Sequence, residues 1–390
     1  MTPAARAPAA MNLYLHVPFC LSKCRYCALY SIAGLEGVRD FPRRIGRECA
    51  LRAGGGHLAP GTIYFGGGTP GLLGPDGLRE TVAELAAAGI DISRATEWTV
   101  ELNPSPEITT PALLDALRAL GVNRLSFGAQ SLDDAVLKAM GRRHTARDVA
   151  DALALARAHG FGNVGFDLIA GYPGVEAPAW EKTLAKALAL APRHLSVYGL
   201  IVESGTALGR DIAAGRLAPL ADDAQMDLLA RTEDILAAAG FVRYEISNYA
   251  LPGFECRHNL ACWRGEDYLG LGPAAASRLG LTRRTNAPDV AKWGAALAVG
   301  SLPPAENDET LSPADDAEER FAYALRMAEG ASPAAFAKTH PAAAARVAEW
   351  ESTLRRLATH GITQEIRPGR WALTRRGREV ADAAIAELLA

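Results

Sequence analysis

The chain carries no excess of basic charge. Its 41 Lys and Arg balance 44 Asp and Glu to a formal net charge of −3. That leaves no electrostatic footprint for a nucleic-acid backbone. No apolar run approaches the ~18 residues of a membrane span. The first ten residues, MTPAARAPAA, lack the apolar stretch of a secretory signal and read as a disordered Ala/Pro tail, with Met11 an alternative start. Internal repeats are absent. Cysteine is scarce, six residues in 390, and nothing suggests export, so disulfides are not expected and a reducing cytoplasm fits. What remains is ordinary globular composition, 49% hydrophobic and 22% charged, with length for two or three domains.

Half of the cysteines sit in one short run. Cys20, Cys24 and Cys27, in HVPFCLSKCRYCALY, have the spacing C-x3-C-x2-C. A [4Fe–4S] cluster normally takes four thiolates, so three with no fourth nearby leave one iron open. An open iron can hold the amino and carboxylate groups of S-adenosylmethionine (SAM), and the spacing resembles the cysteine signature of radical SAM proteins. A zinc site wants a fourth ligand; His16 is the nearby candidate, yet it falls in the apolar run LYLHVPF, where histidine is more often structural. Cys49 reads as a buried thiol. Cys256 and Cys262 share a His/Trp-bearing segment without the spacing of a second cluster.

Strand-like runs alternate with helical ones. The strands are expected at Asn12–Val17, Thr62–Phe65, Glu97–Leu102, Arg124–Phe127, Asn163–Ile169 and His194–Gly199. Helical patterns fall at about Arg39–Ala53, Pro75–Ala88, Pro111–Leu120, Ala146–His159, Pro178–Leu190 and Asp222–Ala239. Six strand-then-helix units predict an α/β fold with a parallel sheet and right-handed crossovers. Ligands in such sheets bind at the C-terminal ends of strands. Beyond about residue 215 the pattern changes: FVRYEISNYA reads as a strand and YLGLGPAAASRLG as a Gly-rich stretch. From about Glu309 the chain is Ala-rich and helical, and its end reads helix, short hairpin, helix, like a winged helix. The expected division is a tail over 1–11, a core barrel over 12–215, a connecting region over 216–308 and a winged-helix-like module over 309–390.

The residues that end the strands are chemically suspicious. YFGGGTP (64–70) follows the second strand, and three glycines allow a ligand to approach the backbone closely. Glu101, in VELNP, suits a ribose hydroxyl pair, although a salt-bridged surface Glu is the plainer alternative. Gln130 in FGAQS and Asp167 in FDLIAGYP end the next two strands, where an acid is hard to explain as core. Arg142 in MGRRHT is a possible anion clamp or a solvated arginine. His258 in HNLACW is a possible haem ligand or a satisfied structural histidine, with Trp263 beside it.

Together these motifs resemble the oxygen-independent coproporphyrinogen III oxidase family of radical SAM proteins, and within it the haem-chaperone branch. The resemblance runs from about Tyr14 to the C-terminus. It implies a partial (β/α)6 barrel with a smaller C-terminal α+β domain. It implies Cys20, Cys24 and Cys27 as cluster ligands, with Tyr14, Gly67 and Glu101 lining a first SAM site. Tyr26, Gly68, Thr69, Gln130, Arg142 and Asp167 match a second SAM site of the porphyrinogen-decarboxylating relatives. The same residues can serve one SAM or haem instead. His258 is the implied haem ligand. The oxidases carry a cysteine two residues after the third ligand, where this chain has Leu29, and a long N-terminal segment ahead of the cluster, where about a dozen tail-like residues stand here. Ala28-Leu29 in place of Asp-Phe, and Cys262 in place of tyrosine, depart from the chaperone pattern. The expected function is a haem-binding radical SAM protein, a haem chaperone that inserts haem into target proteins. Coproporphyrinogen III dehydrogenase and radical SAM methyltransferase acting on haem stay open, and with them whether the chain is an enzyme. The resemblance also implies haem-accepting proteins, an electron donor such as flavodoxin or ferredoxin, and a homodimer.

Overall fold

The computed structural model describes residues 11–54 and 56–390. The expected tail over residues 1–10 lies outside them. Met11 opens the first strand.

Seven strands run parallel in one sheet. Their spatial order is Asp267–Leu271, Met11–Val17, Pro60–Gly67, Glu97–Leu102, Arg124–Gln130, Asn163–Ala170 and His194–Gly199. Helices Phe41–Ala53, Gly74–Ala87, Pro111–Leu120, Ala146–Ala158 and Ala177–Ala189 make the crossovers between the last six. Short antiparallel strands extend both edges, from Ala276–Leu279 to Ala305–Thr310 on one side and through Asn248–Ala250 to Val242–Arg243 on the other.

Period-two alternation decides which face is which. Leu13, Leu15, Val17, Ile63, Phe65, Val100, Leu102, Leu125, Phe127, Phe166, Leu168, Leu195 and Val197 are buried in one core with the helical Leu113, Leu117, Leu153 and Leu184. Each such side chain stabilises by about 1.5–3 kcal/mol, so Phe65→Ala should cost about 3–5 kcal/mol. The intervening residues are polar: Tyr14 and His16, Thr62 and Tyr64, Glu97, Thr99 and Glu101, Arg124 and Ser126, Asp167, His194 and Ser196. A sheet whose inner face is this polar must satisfy its groups with each other or with a ligand. Local signals set the helix starts. Thr145 and Asp148 form a capping box ahead of Ala146–Ala158, and Thr110 accepts from Leu113 N at 3.2 Å.

The Gly-rich run YLGLGPAAASRLG, given no strand or helix from its sequence, holds most of two strands, Asp267–Leu271 and Ala276–Leu279. Glycine lowers strand propensity and so hides the pattern. It is needed all the same: a Cβ on Gly270 would lie 1.9 Å from the Ala276 carbonyl.

The C-terminal portion has its own apolar cluster, including Phe321, Leu325, Trp350, Leu354, Trp371 and Leu388. The rings of Phe321 and Trp350 stack with centroids 4.0 Å apart. Helices Pro313–Arg326, Pro333–Thr339, Val347–Thr359 and Ala381–Leu389 surround the hairpin Thr363–Arg367 and Arg370–Leu373. Arg378 and Arg375 tie it to Glu233 and Asp234 at 2.5 and 2.9 Å.

Candidate functional site

The cysteine loop leaves the first strand at its C-terminal end and is closed on itself. Phe19–Cys20 pairs in parallel with Ile32–Ala33. Arg25 N donates to the Met140 carbonyl at 3.0 Å, anchoring the middle of the loop to the end of the short helix Asp134–Ala139. Cys20, Cys24 and Cys27 are free and half-buried. All three line a cavity of about 370 Å³ together with Tyr26, Gly67, Gly68, Thr69, Glu101, Gln130, Arg142 and Asp167. Thus all but two of the residues expected from sequence meet in one place.

The glycine run shapes the wall beside the cysteine loop. Gly67 has φ +101°, and a Cβ there would come within 2.7 Å of the His16 ring. At Gly68 it would lie 2.5 Å from the Phe19 carbonyl. Any larger residue would push the strand end and the cysteine loop apart. Gln130 also has positive φ, 65°, at a register shift against the neighbouring strand. A non-glycine residue in that region is strained, and the bulge turns Gln130 into the cavity.

Two half-buried carboxylates line the same cavity. Glu101 accepts from Tyr64 OH at 2.7 Å and from Gly67 N at 3.2 Å. Burial pushes its carboxyl up to about 7, and the neighbouring Asp167 adds to the rise. Asp167 accepts from Ser126 Oγ at 3.1 Å. Burial raises it too, opposed by the Ser196 hydroxyl and Arg124. Carboxylates held off their ordinary range by desolvation are ready to accept from a ligand's hydroxyl or amino groups. Burial likewise raises the Cys27 thiol.

Among the described residues, no three His, Cys, Asp or Glu side chains close round a single metal ion. Thiolates that each bind a different iron of a cluster have no need to. Three soft sulfur donors, a side-chain-free backbone and a carboxylate across the cavity fit a [4Fe–4S] cluster with SAM on its open iron.

Tyr14 and His258 do not line this cavity. Tyr14 lies deeper, its OH 3.1 Å from His16 Nδ1. His16 Nε2 is 2.9 Å from the Tyr30 carbonyl. His258 lies at the other end of the strands, 5% exposed, with Nδ1 2.8 Å from Thr62 Oγ1. Its ring packs 5.1 Å from that of Tyr64. Helix Arg257–Trp263 closes the barrel floor there, and Glu97 receives its first N–H groups, Arg257 N and His258 N, both at 3.0 Å. So placed, His258 sits apart from the cavity that the thiols line, because HNLACW starts a helix whose N-terminus finds a buried acceptor in Glu97.

Sequence reasoning missed Asn103 and Tyr198, both in the cavity wall. Asn103 follows Glu101 by two residues in ELNP and so shares its side of the chain. Tyr198 ends the sixth strand as Glu101 ends the third.

Residues 14–187 match the family model described as the Radical SAM superfamily. The chain is 36% identical over 383 residues to the protein named heme chaperone HemW of Mycobacterium tuberculosis, covering 97% of this chain and 94% of that one. It is 34% identical over 334 residues to heme chaperone HemW of Bacillus subtilis, covering 84% and 86%. Among solved structures, the radical SAM coproporphyrinogen III oxidase HemN of Escherichia coli superposes with TM-score 0.84 at 23% identity, covering 98% of this chain and 91% of that one. With that fold, those motifs and that extent of identity, the chain belongs to the HemW-type proteins of the coproporphyrinogen III oxidase-like radical SAM family.

Proposed function

We propose that this protein binds haem at or beside the mouth of the barrel and passes it to haem-requiring proteins. The family implies a [4Fe–4S] cluster and SAM. When bound, the cluster supplies an electron to the SAM sulfonium. In this reading Cys20, Cys24 and Cys27 hold the cluster. Gly67 and Gly68 give SAM a close approach to the backbone, and Glu101 accepts from its ribose. Tyr26, Gln130 and Asp167 line the rest of the cavity, toward a second ligand.

The observation that carries the haem reading is the character of the rim. Leu29 and Ile201 border the cavity with 59% and 73% of their surface exposed. An apolar, open rim suits a flat macrocycle that must be taken up and released. The curated relatives that the chain matches along most of its length carry the name heme chaperone, which supports transfer over turnover. Leu29 itself stands where the resemblance puts an oxidase cysteine. No helix among the described residues is long and apolar enough to cross a membrane.

The test is an anaerobic titration of reconstituted protein with haem, run beside a SAM-dependent turnover assay on coproporphyrinogen III. Haem binding, transfer of haem to an apo-acceptor and no porphyrinogen consumption are expected. Robust protoporphyrinogen formation would overturn the chaperone reading in favour of the oxidase. Leu29→Ser with Ile201→Ser should weaken haem binding and leave iron content unchanged.

A further inference from the structure

Arg142 reads from sequence as an anion clamp or a solvated arginine, but both terminal nitrogens of its guanidinium are engaged within the protein, and only Nε lacks a partner. Nη1 donates to Cys24 Sγ at 3.3 Å. Nη2 donates to Asn103 Oδ1 and to the Gly128 carbonyl, each at 2.7 Å. The chain of contacts continues. Asn103 Nδ2 donates to Thr69 Oγ1 at 3.2 Å, and the Thr69 hydroxyl points to Cys20 Sγ at 3.8 Å. A path of polar contacts therefore runs from one cysteine to another through three side chains, none of which is a cluster ligand. The backbone supports it: Arg142 N donates to the Leu137 carbonyl at 2.9 Å, and the Met140 carbonyl two residues earlier holds Arg25 at 3.0 Å. The segment that carries the arginine is thus fastened to the loop that carries the cysteines.

We infer that Arg142, Asn103 and Thr69 form a brace that spaces Cys20 from Cys24 and sets a permanent positive charge against the Cys24 sulfur, tuning the reduction potential of the cluster. The inference rests on the reading of Cys20, Cys24 and Cys27 as cluster ligands. Arginine is suited to this as lysine is not. It stays charged when buried, and its planar fork reaches the sulfur with one nitrogen while the other is held by two acceptors. Hydrogen bonds and charge near cluster sulfurs favour the reduced form, whose extra negative charge they stabilise. Arg142 and Asn103 are positioning residues: they act on the cluster through Cys24 and Cys20.

The test is a redox titration of the anaerobically reconstituted full chain, followed by electron paramagnetic resonance and run without SAM. Leaving SAM out separates the brace from any role in binding it. Arg142→Gln should lower the midpoint potential, with the reduction equilibrium about tenfold less favourable, or about 59 mV for a one-electron couple. Asn103→Ala should shift it the same way by less, because the charge stays but loses its anchor. Arg142→Lys should fall between wild type and Arg142→Gln. If Arg142→Gln fails to assemble a cluster, the other two variants decide. Variants with about four irons and wild-type potentials would overturn the brace alone. Unchanged potentials together with lost SAM affinity would do so in favour of an anion clamp. Wild type that takes up no iron would overturn the cluster reading and the brace with it.

Discussion

Glu97 and Glu101 lie on one strand, four residues apart, on the same face, and they meet opposite fates. At the floor, Glu97 accepts from Arg257 N and His258 N at 3.0 Å and from Cys256 Sγ at 3.4 Å. At the mouth, Glu101 has two donors and borders a cavity. The floor holds as rich a set of reactive side chains as the mouth. His258 bonds Thr62, Thr62 bonds Asn12 at 2.7 Å, and His194 Nε2 lies 2.8 Å from Tyr244 OH. Residue types alone would mark both ends as sites. What separates the two glutamates is where their oxygens are spent: Glu97 on the backbone N–H groups of helix Arg257–Trp263, Glu101 at the edge of the cavity that the three thiols line.

Several substitutions can break or sharpen this contrast. The largest effect is expected at the thiols. Alanine at Cys20, Cys24 or Cys27 should abolish the roughly four irons per chain of reconstituted protein, while Cys256→Ala at the floor should keep them. Iron analysis decides, and iron loss in Cys256→Ala would break the contrast.

Next come the two glutamates. Glu97→Ala strands the buried His258 N–H and the part-buried Arg257 N–H and should cost about 3 kcal/mol in denaturant unfolding. Glu101→Ala should leave iron content intact and weaken SAM binding about tenfold. Equal unfolding midpoints for Glu97→Ala and wild type would refute the floor assignment.

The two ends should also respond oppositely to pH. Glu101 is raised to about 7 in the folded chain, chiefly by burial. The folded state therefore holds its proton more tightly, and this contribution to stability is lost as pH rises toward 7. SAM binding that needs the carboxylate should strengthen over that range and lose this dependence in Glu101→Gln. Burial and nearby Arg124 lower His258 to about 4 and put His194 well below its ordinary value. Both favour the neutral ring, so the floor's contribution is present above about 6.5 and lost as pH falls toward 4. His258→Ala should lower stability by about 2 kcal/mol and leave the haem spectrum unchanged. A lost haem band with unaltered melting would restore it as a ligand.

Much of this was legible in the sequence. The six strands from Asn12 to Gly199 and the crossover helices announce themselves by alternation and by their start signals. The thiols, glycine run, Glu101, Gln130 and Asp167 stand out because they follow strands. The rest depended on long-range partners. Asp267–Leu271 is concealed by glycines whose reason is contact with Ala276 and His16. Nothing near Arg142 reveals that Asn103, 39 residues earlier, holds it. Nothing near His258 reveals that its backbone N–H finds Glu97 and its ring finds Thr62, 161 and 196 residues away.

The smallest expected effect lies outside both ends. Ala274 has φ +63°, where glycine is favoured, so Ala274→Gly should stabilise by up to about 1 kcal/mol in thermal unfolding.

The most direct test of the mouth as a cluster and SAM site is metal analysis of the reconstituted chain with paramagnetic resonance of the reduced protein, with and without SAM. The account predicts about four irons per chain, and a signal that SAM alters in wild type and in Cys256→Ala. Stoichiometric zinc without iron, or an iron signal indifferent to SAM, would contradict it.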